Sequence, residues 1–160
     1  MSDYENAERF PNRKHPRMRY FDYSSPHYYF VTICTKDRQC LFGPPNQLNI
    51  LGKYAQDKIK EISKHFSDVT VDKFIVMPNH VHMILILHGN GANLSTVIGQ
   101  YKAAVSREIH RIHPDMEIWQ SSFHDHVIRN QASYEKIWLY IEGNPAKWQD
   151  DCFYTNISAL

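Results

Sequence analysis

Hydrophobic positions along the chain fall into two periods, and their order predicts an architecture. Tyr28-Tyr29-Phe30-Val31-Thr32-Ile33-Cys34-Thr35 is dense in aromatic and β-branched residues and predicts a strand. Gly43-Pro44-Pro45-Asn46 breaks the chain. From Leu48 to about Phe66, apolar Ile50, Leu51, Tyr54, Ala55, Ile59 and Ile62 recur near helical spacing, which predicts an amphipathic helix. Val69 to Met77 and Val81 to Leu87 predict two strands, and the short Pro78-Asn79 connection favours an antiparallel hairpin. A second helix is expected from Leu94 to about Ile112, capped by Asn93 or Ser95 and stopped by Pro114. Ile118 to Ile128, with Trp119, Phe123, Val127 and Ile128, is expected as the fourth strand. A last helix runs from about Ser133 to Glu142, and Gly143-Asn144-Pro145 ends it.

The order is βαββαβ plus a C-terminal helix, which describes a ferredoxin-like α+β sandwich with an antiparallel sheet. Side chains alternate across a strand, so His80, His82, Ile84 and Ile86 share one face and Val81, Met83, Leu85 and Leu87 the other. Both faces are largely apolar past the histidines, so this strand is expected at the centre of the sheet. Val81, Met83, Leu85 and Leu87 are the better partners for the two crossing helices. That places the histidines on the opposite face, open unless the last helix covers it.

Composition adds limits. The 160 residues, 42% hydrophobic and 22% charged, suit one globular domain, expected over residues 23–150 with a C-terminal tail at 151–160. Cys34, Cys40 and Cys152 have no zinc-type spacing and are odd in number, which argues against a disulfide framework and fits a reducing compartment. No apolar run approaches a membrane span and the N-terminus lacks a signal-peptide layout, so a cytoplasmic protein with no membrane partner is expected. Net charge is +1, but residues 1–22 form a basic arm in which Arg9, Arg13, Lys14, Arg17 and Arg19 meet no acid between Arg9 and Arg19. Such an arm can follow a phosphate backbone, or can be an ordinary solvated terminus.

The candidate chemistry lies at the mouth of the central strand. His80 and His82 are two residues apart on one face, where two imidazoles can share one metal ion. The pattern alone is weak: His124-Asp125-His126 repeats it, and His110 and His113 form another pair near the end of the second helix. Context favours His80 and His82, because burying two unpaired imidazoles in an apolar strand is costly. The chain has no nucleophile elbow, Walker loop or His-Glu-x-x-His, so another nucleophile is needed. Tyr140 and Asn144, four apart, can present a phenol beside an amide oxygen on one helical face. Tyr140 can equally be core, alongside Ile137 and Ile141.

Met77-Pro78-Asn79-His80-Val81-His82, followed downstream by Tyr140-Ile141-x-x-Asn144-Pro145, resembles the single-tyrosine HUH transposases, and within them the REP-associated tyrosine transposases. Supporting segments are Tyr23-Ser24, Tyr29 to Arg38, Trp119-Gln120 and His126-Val127-Ile128-Arg129-Asn130. The resemblance implies a ferredoxin-like fold and Tyr140 as the nucleophile. It implies His80, His82 and Asn144 as ligands of a divalent metal, Mg²⁺ or Mn²⁺. It implies strand transfer on hairpin-bearing single-stranded DNA through a 5′-phosphotyrosine. Related transposases often pair, which makes a homodimer an expectation. Phe123-His124-Asp125 departs from the Tyr-Tyr-Glu type of run in some relatives and puts local DNA contacts in doubt.

Arg13, Lys14, Arg17, Arg19, Lys102, Arg107 and Arg129 are candidates to hold the DNA backbone, with Trp119 as a base-stacking surface. Each is also an ordinary surface or core residue by type. Two other readings stay open: a protein that binds structured nucleic acid without cleaving it, and a metal-dependent hydrolase using water at His80 and His82.

Overall fold

The computed structural model describes residues 27–89 and 91–150. The basic arm, with Arg13, Lys14, Arg17 and Arg19, and the tail after Asp150 lie outside the described residues. Strands β1 (His27–Cys34), β2 (Val69–Met77), β3 (His80–Leu87) and β4 (His124–Ile128) form one antiparallel sheet in the order β2-β3-β1-β4. Helices α1 (Ile50–Lys60), the short α2 (Ile62–His65), α3 (Leu94–His110) and α4 (Gln131–Gly143) complete a ferredoxin-like α+β arrangement.

The two inner strands, β1 and β3, are the most continuous apolar runs, as strands buried on both faces must be. From β3, Val81, Met83, Leu85 and Leu87 enter a large core shared with α1 and α3. Ile84 points the other way, into a smaller core with Phe30, Ile128, Ile137 and Ile141. The last two belong to α4, so the face carrying the histidines is the one that α4 covers. Burying Ile137 and Ile141 contributes roughly 1.5–3 kcal/mol each.

Each long helix starts on an asparagine. Asn49, Asn93 and Asn130 accept hydrogen bonds from the backbone N–H of Gly52, Ser95 and Ser133 at 2.8–2.9 Å. Of the two expected caps for α3, Asn93 fills the role. The first helix, expected unbroken to Phe66, is interrupted at Glu61, where α1 ends and α2 begins.

The fourth strand is shorter than expected. Only His124–Ile128 pair with β1, and the Ile118–Phe123 half leaves the ladder after an isolated bridge between Trp119 and Thr35. Five steps separate Trp119 from His124, whereas three separate Thr32 from Thr35 opposite. The surplus bends out at Ser121-Ser122, where no period-2 apolar pattern holds the chain to the sheet.

Candidate active site

The tight Pro78-Asn79 turn pairs Met77 with His80, so β3 begins at its first histidine. His80 and His82 project to the α4 side, both buried, with ring centroids 4.5 Å apart. Asn79 fixes the tautomer of His80. Its Nδ2 donates to the Arg38 carbonyl at 3.2 Å, which leaves Oδ1 facing His80 Nδ1 at 2.8 Å. An amide oxygen only accepts, so Nδ1 carries the proton and Nε2 keeps its lone pair. Burial pushes the His80 imidazole down to about 3, the Asn144 oxygen, placed to accept from a protonated ring, opposes that fall, and the charge of Arg38 adds to it. His82 is held well below the usual histidine range by burial first and by His80 second. Two neutral imidazoles therefore lie side by side at physiological pH.

His82 stacks on Phe30, with centroids 5.2 Å apart. Its Nδ1 lies 2.8 Å from the Thr32 hydroxyl, and its Nε2 lies 3.4 Å from the Tyr140 hydroxyl. The phenol is half-buried, edge-on to Phe30 and to His82. One turn later Asn144 closes α4, buried, with an Oδ1 that makes no hydrogen bond among the described residues. Trp148 caps the group, its ring 6.1 Å from that of His80.

The orientation of α4, and hence of Tyr140, is set at the β2 edge. The Tyr134 hydroxyl donates to Asp72 at 2.5 Å, a bond that with burial and nearby charge pushes the phenol up to about 12. Lys73 pairs with Glu142 and lies 4.0 Å over the Trp138 ring.

The structure thus brings His80, His82, Tyr140 and Asn144 together. It does not bring Lys102, Arg107 or Trp119 to them. Lys102 and Arg107 are on α3, across the sheet, and the Lys102 amine donates to the Gln120 and Ser122 carbonyls. Trp119 packs against Phe42 and Tyr101 at the large core and donates its indole N–H to the Lys102 carbonyl. Arg129 is exposed immediately before the α4 cap. His124 and His126 share the histidine face but stand beyond Thr32 and Phe30 on the outer strand. Thr32 and Asn79, the partners of the two histidines, were not expected from the sequence as site residues. Asn79 sits inside the motif but reads as a turn residue, and Thr32 is identified only by its register.

Chemically, His80 Nε2, His82 and the Asn144 oxygen are a neutral nitrogen, nitrogen and oxygen donor set that suits a divalent cation. The buried Asn144 oxygen beside the His80 ring fits such an ion, since a cation between them would satisfy both. No cluster of three or more His, Cys, Asp and Glu suited to a metal occurs among the described residues. No described helix is long and apolar enough to cross a membrane.

The chain is similar to several known proteins. A Haemophilus influenzae protein of uncharacterised function is 29% identical, the alignment covering 91% of this chain and 94% of that one. A second protein from the same organism, described as a candidate REP-associated tyrosine transposase, is 23% identical over 86% of each chain. The fold is shared with a REP-associated tyrosine transposase solved bound to a REP hairpin, at TM-score 0.65 and 21% identity, covering 84% of this chain and 74% of that one. It is shared as well with a candidate transposase of Deinococcus radiodurans, at TM-score 0.54 and 18% identity, covering 81% and 97%. The IS200-like transposase family matches residues 23–144, a span that takes in both histidines, Tyr140 and Asn144. On that match the chain belongs to the IS200-like transposases and is a DNA-processing enzyme.

Proposed function

We propose that this protein cleaves and rejoins single-stranded DNA through a covalent bond to Tyr140, with a hairpin beside the cleavage point as part of its substrate. The observation that carries the reading is the Tyr140 hydroxyl, 3.4 Å from His82 Nε2 on a helix that ends at the buried Asn144 oxygen. The hairpin is suggested by the related structure bound to a REP hairpin.

A phenol is a weak nucleophile at neutral pH and needs an electrophilic phosphorus. His80, His82 and Asn144 would hold a divalent cation, Mg²⁺ or Mn²⁺. When bound, that ion supplies positive charge to the non-bridging phosphate oxygens. The chain's own residues do the rest. Asn79 and Thr32 orient the imidazoles, Trp148 and Phe30 exclude water from them, and α4 aims Tyr140 at the phosphate. The tyrosine oxygen bonds to phosphorus as the bond to the 3′ oxygen breaks. The phenol proton passes to water, and the departing 3′ oxygen takes a proton from water. The product is a 5′-phosphotyrosine and a free 3′-hydroxyl, whose reversal rejoins DNA without ATP.

Arg129 and the arm residues Arg13, Lys14, Arg17 and Arg19 are the proposed contacts to the DNA backbone. The test is a denaturing gel after incubation with hairpin-bearing single strands and Mn²⁺. Wild-type protein is expected to form an adduct that Tyr140→Phe does not. DNA binding without any adduct would favour a non-cleaving binder, and DNA turnover retained by Tyr140→Phe would favour water as the nucleophile.

A further inference from the structure

The sheet face that carries the histidines extends well beyond them. Tyr28, Phe30 and Thr32 alternate onto that face of β1. Tyr28 therefore stands about 13 Å along the strand from Thr32, the partner of His82. Helix α4 follows the same line. Its Tyr140 is edge-on to Phe30 and its Tyr134 edge-on to Tyr28, with ring centroids 6.3 and 5.7 Å apart. Phe30 is sealed into the smaller core between them. Tyr28 is not: it is 41% exposed, the most exposed aromatic ring among the described residues.

The exposed ring is also a braced one. Tyr134 meets it at an interplanar angle of 85°, and the Tyr134 hydroxyl is in turn bonded to Asp72 at 2.5 Å. In the ladder Tyr28 lies between Ile86 and Ile128, so two neighbouring strands hold its backbone. Aromatic area left in water forfeits the gain of burial, and a ring held in place in advance costs little more to order when something lands on it.

The surroundings fit a nucleobase better than a protein. The other exposed large apolar side chains lie elsewhere. Ile50 opens α1 and Ile112 follows α3, helices of the opposite face, and Leu139 is more than a turn beyond Tyr134 on α4. Tyr28 is thus a single ring and not part of an apolar patch of interface size. One ring matches one base, and every base offers a π-face to stack on. Arg129, exposed and already a proposed backbone contact, follows directly on Ile128, the ladder partner of Tyr28. A strand held at both Tyr140 and Arg129 runs past Tyr28.

We propose that Tyr28 is a base-binding residue, its ring stacking on one unpaired base of the DNA strand a few nucleotides from the phosphate attacked by Tyr140. The proposal rests on the strand-transfer reading. No bond is made or broken at Tyr28; stacking there fixes which phosphate of the strand comes to rest at the nucleophile.

The experiment selects a binding sequence for wild-type protein in EDTA from a pool of hairpin-bearing single strands with randomised flanks. Mn²⁺ is then added to the selected DNA with wild type and Tyr140→Phe. Binding without a Tyr140-dependent adduct defeats the strand-transfer reading and leaves the stacking comparison to be made on the same DNA, whereas failure to select any DNA defeats both. For the comparison, each flanking nucleotide in turn is made abasic, and dissociation constants in EDTA are measured for wild type, Tyr28→Ala and Tyr28→Trp. Tyr28→Ala is expected to weaken binding of intact DNA by about tenfold, and Tyr28→Trp to stay within about twofold of wild type. At one flanking position, loss of the base should cost wild type about tenfold and Tyr28→Ala less than about twofold, the non-additivity of two groups in contact. Wild-type affinity in Tyr28→Ala would overturn the proposal, as would losses that simply add at every position. So would a Tyr28→Trp defect equal to that of Tyr28→Ala, which would make the ring part of the seat of α4. A change of oligomeric state in Tyr28→Ala, read by sedimentation, with DNA affinity intact would assign the ring to a second copy of the chain and overturn it as well. Should Tyr28→Ala not fold, Tyr28→Leu keeps apolar bulk against Tyr134 without a ring and carries the same comparison.

Discussion

Thr32 stands directly opposite His82 in the β1–β3 ladder, and its hydroxyl lies 2.8 Å from His82 Nδ1. The bond is buried, and it leaves the other ring nitrogen turned toward Tyr140. Partners of this kind fix ring orientation and raise ligand basicity. Thr32→Val keeps the shape and removes the hydroxyl. The expected result is Mn²⁺ binding weakened by about tenfold, read by titration calorimetry. Stability should fall by about 1 kcal/mol in urea unfolding. Unchanged Mn²⁺ affinity would show that the hydroxyl does not orient the ring.

Acid should unfold the protein through its buried histidines. An unfolded histidine takes up a proton near pH 6.5, whereas native His80 resists until about pH 3. Between those values the unfolded chain binds more protons, so stability falls as pH decreases through the window and levels off below it. His80 alone should remove on the order of 2 kcal/mol between pH 7 and pH 5. His82 adds to this in the same direction, because its proton affinity is also depressed. Urea midpoints at the two pH values measure the loss, and His80→Gln should show a smaller one. An equal loss in His80→Gln would place the acid sensitivity elsewhere.

The same neutrality governs metal loading. Ligands that must shed protons release them on binding, but His80 and His82 are already deprotonated at pH 7. Mn²⁺ titrations in buffers of different ionisation enthalpy should therefore give the same heat, with no proton released. Affinity should stay flat from pH 8 to pH 6. A buffer-dependent heat would contradict the burial-driven neutrality of the pair.

Both the arrangement of strands and the gathering of His80, His82, Tyr140 and Asn144 were legible in the sequence, for a shared reason. Period-2 alternation through His80 to Leu87 separates the two faces of β3 without reference to any partner, and the structure keeps that separation. Tyr140 and Asn144 follow from helical spacing in the same way. Contacts made across the sheet were not legible. Thr32 meets His82 only because β1 and β3 take one particular register, and Asn79 reaches Arg38 only because the turn at Asp37-Arg38 is left-handed. Lys102 and Trp119 illustrate the converse. Residue type suggested DNA contacts, whereas packing commits one to backbone carbonyls and the other to the large core. The overlong fourth strand came from counting apolar residues where two extra residues bend away from the ladder.

Gly52 is irreplaceable for a reason of contact. A Cβ at this position in α1 would collide with the Phe42 carbonyl, which accepts from the Asn49 N–H at 3.0 Å. Gly52→Ala must push the helix start away from that loop, and overpacking of this kind costs about 1–3 kcal/mol. The usual gain in helix propensity from Gly to Ala, about 1 kcal/mol, is smaller. Thermal unfolding should show a lowered Tm, and a raised one would mean that the loop yields freely.

The two cores are unequal, and this bears on load. A broad core joins the sheet to α1 and α3, while α4 is held by a smaller apolar cluster and by contacts along the β2 edge. If DNA is linked to Tyr140, tension along the strand enters the protein through α4. The helix would then peel from the sheet before the sheet itself yields, a mechanical fuse between the nucleic acid and the body of the protein. Pulling on a DNA–protein adduct in an optical trap should give an early, small, reversible extension ahead of global unfolding, whereas a single step would mean that the two cores give way together.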